Sequence, residues 1–236
     1  MTLLWCVLFF LAVPAVIYYL SYIPVFIQTP GGLTVQKVIN ANVGMYNYHS
    51  SPGLGADHPW SSPWYEWPLI IKPMYYYSGG VVSGTASTIL AFGNPAVWLS
   101  GLAALLVTAF IAAKQRLARQ HTLAEERRAT LPVDRDDPRP LILLISFAAQ
   151  YLPWVLVPRG TYIYHYFPSV PFIILCVTLL LFYLSGRHRK AALALGAGLV
   201  ILSFLLFAAF FPYISGVRVS TSWLDAMKWL PNWLYY

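Results

Sequence analysis

The sequence predicts an all-α polytopic membrane protein of about five transmembrane helices, with a cytoplasmic N-terminus and an extracytoplasmic C-terminus. Three observations carry that expectation. Hydrophobic residues make up 58% of the chain and charged residues only 10%, too few to keep most of it in water. Five apolar runs, at 3–27, 92–113, 140–157, 166–185 and 191–213, approach or reach the roughly 20 residues that a bilayer crossing requires. The basic residues gather between particular runs, and that asymmetry orients the chain.

Residues 1–27 are expected to form the first span. The run is too long, and too rich in Pro, Tyr and Trp, for a cleaved signal peptide, and no small-residue cleavage site follows it. Residues 28–91 then form a long extracytoplasmic loop, rich in aromatic residues. A connection of that length is more often functional than a simple linker. Pro52, Pro59, Pro63, Pro68 and Pro73 forbid long regular helices there, because proline lacks a backbone donor. Residues 92–213 supply four spans with a basic cytoplasmic loop at 114–139, and Pro153 is expected to kink the third span of the chain.

The charges fix the topology. Lys114, Arg116, Arg119, Arg127, Arg128, Arg135 and Arg139 all lie in 114–139, and Arg187, Arg189 and Lys190 fill the turn after the fourth span. The outer segments hold only Lys37, Lys72, Arg159, Arg218 and Lys228, as the positive-inside rule requires. The net charge of +7 therefore marks a cytoplasmic anchor and not a nucleic-acid surface. Residues 114–130 are good helix formers and should extend the second span, until Asp134-Arg-Asp-Asp-Pro-Arg-Pro140 breaks the helix. The tail 214–236 is an extracytoplasmic interfacial segment. In it, Trp223, Leu224, Met227 and Leu230 recur at the spacing of an amphipathic helix. Cys6 and Cys176 both fall inside apolar runs, which implies neither a disulfide framework nor a zinc site.

Two outer segments concentrate the candidate chemistry. One is His58-Pro-Trp-Ser-Ser-Pro-Trp-Tyr-Glu-Trp-Pro68, the other Arg159-Gly-Thr-Tyr-Ile-Tyr-His-Tyr-Phe-Pro168. Trp64 and Trp67, interleaved with Glu66 and Lys72, suit a sugar or acceptor face; an aromatic belt at the lipid interface is the plainer alternative. Asp57 and Glu66 can in principle take a proton from an acceptor hydroxyl, or simply serve as salt-bridge and capping groups. His49, Asp57 and His58 match no standard metal-site spacing. Arg159, with Tyr164 and His165 beside it, reads either as a clamp on a donor phosphate or as an arginine snorkelling to the interface.

These residues carry a family resemblance. Ser21-Tyr-Ile-Pro24, Met45-Tyr-Asn-Tyr-His-Ser50, His58 through Leu69, Gly93-Asn-Pro95, and Arg159 with Tyr164-His-Tyr-Phe-Pro168 resemble, in order and spacing, the C-terminal transmembrane region of protein O-mannosyltransferases. The resemblance spans about residues 3–215. It implies a GT-C-type helical membrane fold. It implies mannose transfer, with inversion, from polyprenyl-phosphate-mannose to Ser or Thr of exported proteins. The partners so implied are the lipid-linked mannose, the acceptor protein, the bilayer, and an N-terminal transferase half or partner subunit. The membrane would be the bacterial plasma membrane, or the endoplasmic reticulum in a eukaryote. The family's catalytic acid pair belongs to an N-terminal half for which this sequence has no counterpart, so no catalytic residue, metal or cofactor is assigned. A non-catalytic scaffold for a partner glycosyltransferase is the alternative expectation.

Overall fold

The structure is a computed structural model that describes residues 2–121 and 137–233. It divides into two compact units, Met1–Leu54 and Gly55–Tyr236. The expected helical extension to 130 and the break at 134–136 fall outside the described residues.

In the first unit, helix α1 (Thr2–Val7) passes through a π segment (Leu8–Ala12) into α2 (Val13–Leu20) and the single turn α3 (Ile23–Phe26). Together, Thr2–Phe26 is long and apolar enough to cross a membrane. Pro14 explains the widened turn. Its missing N–H breaks the helical ladder, and the Val13 N–H reaches five residues back to the Leu8 carbonyl. Helix α4 (Val35–His49) starts at Thr34, whose hydroxyl accepts from the Lys37 N–H at 3.3 Å. It occupies the proline-free part of the segment expected to be a loop. The Lys37 ammonium donates to Thr29 Oγ1 and the Pro30 and Gly32 carbonyls at 2.7–2.8 Å, pinning the α3–α4 connection.

The second unit opens with a loop and a 3-10 turn at Trp64–Leu69. Strands β1 (Met74–Val82) and β2 (Thr85–Ala91) then form an antiparallel hairpin. This segment lies within the stretch 28–91 expected to be a loop. Its two-residue connection, Ser83-Gly84, holds φ of 50° and 73°, the paired positive values of the turn that matches strand twist. Helix α5 (Pro95–His121) begins with Pro95 in the first turn. Asn94 caps it, Oδ1 accepting from the Ala96 N–H at 3.0 Å while Nδ2 donates to the Ser203 carbonyl at 2.8 Å. Helix α6 (Arg139–Tyr151) runs into a 3-10 turn at Leu152–Leu156, where Pro153 ends the regular helix.

Helix α7 (Val170–Ser215) holds both remaining spans. His188 has non-helical angles (φ −138°, ψ 69°), and the chain folds back there. A Cβ on Gly196 would lie 3.4 Å from Leu181 Cδ1, whereas a straight helix would separate those positions by about 22 Å. Among the described residues four helices are long and apolar enough to span, Thr2–Phe26, Pro95–Leu117, Arg139–Leu156 and Ile163–Ser215, and the last is folded at His188 into two lengths. Glycine permits the close contacts between them: at Gly101 a Cβ would fall 2.6 Å from the Ile173 side chain.

After α7, strand β3 (Val219–Ser220) adds to β2, making a sheet ordered β1-β2-β3. Helix α8 (Thr221–Ala226) is shorter than the tail helix expected from the sequence. The reason is tertiary: Leu224 is fully buried, its carbonyl accepts the Tyr213 hydroxyl at 2.7 Å, and Trp233 inserts its indole to donate to the Ile70 carbonyl at 2.7 Å. The tail thus packs on the unit through Leu224 and Trp233, while Trp223 and Trp229 stay exposed. The hairpin, the 58–69 and 158–168 loops and the tail therefore gather at one end of the bundle, while the His188 turn marks the other.

Candidate functional site

The two segments that the sequence singled out are joined edge to edge. The Ser62 N–H donates to the Thr161 carbonyl at 2.8 Å, and Thr161 Oγ1 donates to the Ser62 carbonyl at 2.9 Å. Beside this seam Gly160 packs directly on the backbone of Gly55; a Cβ there would lie 2.2 Å from the Gly55 carbonyl oxygen. Trp67 locks the underside. Its indole N–H is shared between the Ser62 carbonyl and hydroxyl, each at 3.1 Å, and the ring is wholly buried. The Tyr151 hydroxyl donates to the Trp64 carbonyl at 2.7 Å and ties the turn to the end of α6.

On this base the rings form a continuous assembly. His165 lies 4.1 Å from Trp154, 4.4 Å from Tyr164 and 5.8 Å from Trp67, centroid to centroid. The Tyr162 N–H donates to His165 Nδ1 at 3.0 Å, as part of a reciprocal cap on the 3-10 turn Ile163–Ser169. The same Nδ1 lies 2.9 Å from the Tyr162 carbonyl oxygen, so the ring tautomer decides whether it accepts from that N–H or donates to that carbonyl, while Nε2 takes part in neither contact. Tyr164 stacks on Tyr162 at 5.5 Å and on Tyr76 of the hairpin at 6.5 Å. His58 meets Tyr162 edge-on at 5.3 Å. Partial desolvation raises the Tyr76 phenol above its ordinary value, keeping it a neutral donor.

The expected donor-phosphate residues Arg159, Tyr164 and His165 thus lie together, all half-buried. The Arg159 charge acts on both of the others, yet its guanidinium has no hydrogen bond or ion pair among the described residues. On the expected sugar or acceptor face, Trp64, Glu66 and Lys72 are half-buried, and among the described residues neither the Glu66 carboxylate nor the Lys72 ammonium is paired. Trp67 is different: its ring is closed off among Tyr151, Trp154 and His165, so it supports the site from beneath and offers no stacking face. Asp57 and His58 are exposed, and His58 Nδ1 accepts the Trp60 N–H at 3.2 Å. His49 belongs to the first unit. Among the described residues no three His, Cys, Asp or Glu side chains converge as a metal site would need. Sequence reasoning gave no individual role to Thr161, Ser62, Gly160 or Trp154. Gly160 directly after Arg159 was the one available signal, a glycine beside a charge in a tight turn.

Comparison with known proteins places the chain in a family. Residues 34–233 match the family model of the C-terminal four-transmembrane region of protein O-mannosyltransferase. A polyprenol-phosphate-mannose–protein mannosyltransferase of Corynebacterium glutamicum is 25% identical over 211 residues, covering 83% of this chain and 36% of the relative. The dolichyl-phosphate-mannose–protein mannosyltransferase 5 of Candida albicans is 23% identical over 202 residues, covering 84% and 28% respectively. The chain thus spans about a third of the length of these relatives. Its fold is that of a chain in the S. cerevisiae protein O-mannosyltransferase Pmt1–Pmt2 complex bound to the sugar donor, with a TM-score of 0.67 at 20% identity, over 85% of this chain and 27% of that one. A helical integral membrane chain with this match across most of its length belongs to the protein O-mannosyltransferase family, as its C-terminal four-transmembrane region.

Proposed function

We propose that this chain is the membrane module that completes the lipid-donor side of a protein O-mannosyltransferase, acting in mannose transfer from a polyprenyl-phosphate-mannose to Ser or Thr of exported proteins. The observation that carries the reading is Arg159: a half-buried guanidinium without an acidic partner among the described residues, beside Tyr164 and His165. An unpaired cation in such a place is costly unless an anion completes it. A phosphate fits, because guanidinium presents paired donors to its oxygens.

In the reaction, the bond between the mannose anomeric carbon and the phosphate oxygen breaks, and negative charge grows on the departing polyprenyl phosphate. Arg159 would stabilise that charge, with the Tyr164 hydroxyl and, in the tautomer that protonates Nε2, the His165 ring as further donors. Trp67 and Trp154 hold the His165 ring in place. Glu66, Lys72 and Trp64 would border the sugar or acceptor. The base that takes the acceptor proton is expected from the transferase region N-terminal to this module. The loop-bearing end would face the extracytoplasmic side, since the clustered basic residues lie at the opposite end.

The test is mannosyl transfer from polyprenyl-phosphate-mannose to a Ser/Thr peptide, with the chain assembled with an N-terminal transferase region. The expected result is activity only in the assembly, and a donor KM raised at least about tenfold by Arg159→Ala, the loss of one charge-assisted contact. An unchanged donor KM would sink the clamp. Activity of the chain alone would show that its own Glu66 or Asp57 supplies the base.

A further inference from the structure

At the end of the bundle away from the loops, α6 and α7 leave a cleft of about 330 Å³. Ile142 and Leu143 line one wall, Leu175 and Leu179 the other, and Arg139 and Phe182 stand at one end. Arg139 is the first residue of an apolar span, so it sits where a bilayer's hydrocarbon meets its head groups. Its guanidinium lies 4.6 Å over the Phe182 ring, and its Nε and Nη2 donate to Asp137 at 2.7–3.0 Å. Asp137 is itself enclosed, with 4% of its side chain exposed and the Tyr183 hydroxyl donating to it, whereas Arg139 is 49% exposed. Among the described residues the exposed charge at this end of the helices is therefore mostly basic. Lys114, Arg116, Arg187, Arg189 and Lys190 are all exposed at this end of the helices, and among the described residues Asp137 is the sole carboxylate there.

We propose that this cleft is a binding site for an anionic phospholipid of the surrounding leaflet, with its phosphate on Arg139 and an acyl chain between α6 and α7. Charge complementarity selects the occupant. Walls without polar side chains other than Thr178 favour hydrocarbon, and an anionic head group complements the basic charge that the described residues expose here better than a zwitterionic one. The Phe182 ring beneath the guanidinium fixes its plane, which suits it to a phosphate better than a mobile lysine would be. The site lies at the other end of the helices from Arg159 and does not depend on the proposed reaction.

The test uses the full chain in nanodiscs made from equal amounts of phosphatidylcholine and phosphatidylglycerol, with the lipid retained on detergent extraction counted by native mass spectrometry. Wild type should retain phosphatidylglycerol preferentially. Arg139→Gln should cut that preference about fivefold, the share of one basic side chain at an anionic surface. Thr178→Phe should cut it as far. Thr178 is exposed, and its hydroxyl serves only the Ile174 carbonyl of its own helix, so the variant fills the cleft without touching Arg139 or the fold. No preference in wild type would overturn the proposal. So would retention unchanged in Arg139→Gln. Loss in Arg139→Gln but not in Thr178→Phe would reduce the effect to surface attraction and overturn the cleft.

Discussion

Replacing Trp67 with alanine tests how the two loops are held together. The indole is completely buried and meets Tyr151, Trp154 and His165 at centroid distances of 6.3, 5.9 and 5.8 Å. Its N–H is shared between two oxygens of Ser62, the residue that also pairs with Thr161. Truncating a buried tryptophan costs about 3–5 kcal/mol, combining lost transfer energy with the cavity left behind. About 1 kcal/mol of that belongs to the hydrogen bond, which Trp67→Phe removes while keeping most of the ring packing. The cavity opens directly beneath His165, so the donor-facing group should loosen along with the seam. The assay is thermal unfolding of the detergent-solubilised chain, followed by tryptophan fluorescence, beside protease cleavage of the 55–62 segment. Alanine should lower Tm markedly and expose 55–62 to cleavage; phenylalanine should lower Tm by a few degrees, the shift that about 1 kcal/mol gives in a chain of this size. Equal and small effects of the two variants would refute the claim that Trp67 supports the site from within.

Three further outcomes follow from the same contacts. Gly160→Ala places a Cβ 2.2 Å from the Gly55 carbonyl oxygen, backbone against backbone, and should cost about 1–3 kcal/mol, read as a lower Tm and faster proteolysis at the seam. Asn94→Ala removes the cap of α5 and the bond to the Ser203 carbonyl, and should cost about 1–2 kcal/mol in denaturant titration, more than Asn94→Asp, which keeps the cap. Asp137 gives a pH test. Hydrogen bonds from Arg139 and Tyr183 hold its carboxyl below the usual carboxylate range. A group depressed in this way adds stability that is fully present above its unfolded value, about 3.9, and disappears as pH falls through the folded one. Tm should therefore fall on acidification below about pH 4 in wild type. In Asp137→Asn the fall should be shallower; identical profiles would remove the ion pair from the account.

The membrane class, the spans and the clustering of charge between them were legible in the sequence, because each depends on local composition. A run of apolar residues must leave water wherever it lies, so the runs at 92–113 and 140–157 map closely onto α5 and onto α6 with its 3-10 turn. The run at 191–213 becomes the second half of α7, separated from the first at His188 beside Arg187, Arg189 and Lys190, the turn that the basic residues had marked. The residues Arg159, Tyr164 and His165 were also visible, as unusual chemistry at the end of a span. What the sequence could not show was which of its many rings face outward. Trp64 and Trp67 stand three residues apart on one turn with the same composition around them. Only Trp67 is sealed, because Tyr151, Trp154 and His165, all more than eighty positions away, converge on it. The hairpin at Met74–Ala91 and the burial of Leu224 and Trp233 were hidden for the same reason: β3 and the Ile70 carbonyl become their partners only once α7 has brought the tail back. Hydropathy decides which segments enter the bilayer; packing between distant segments decides which side chains remain free to meet a ligand.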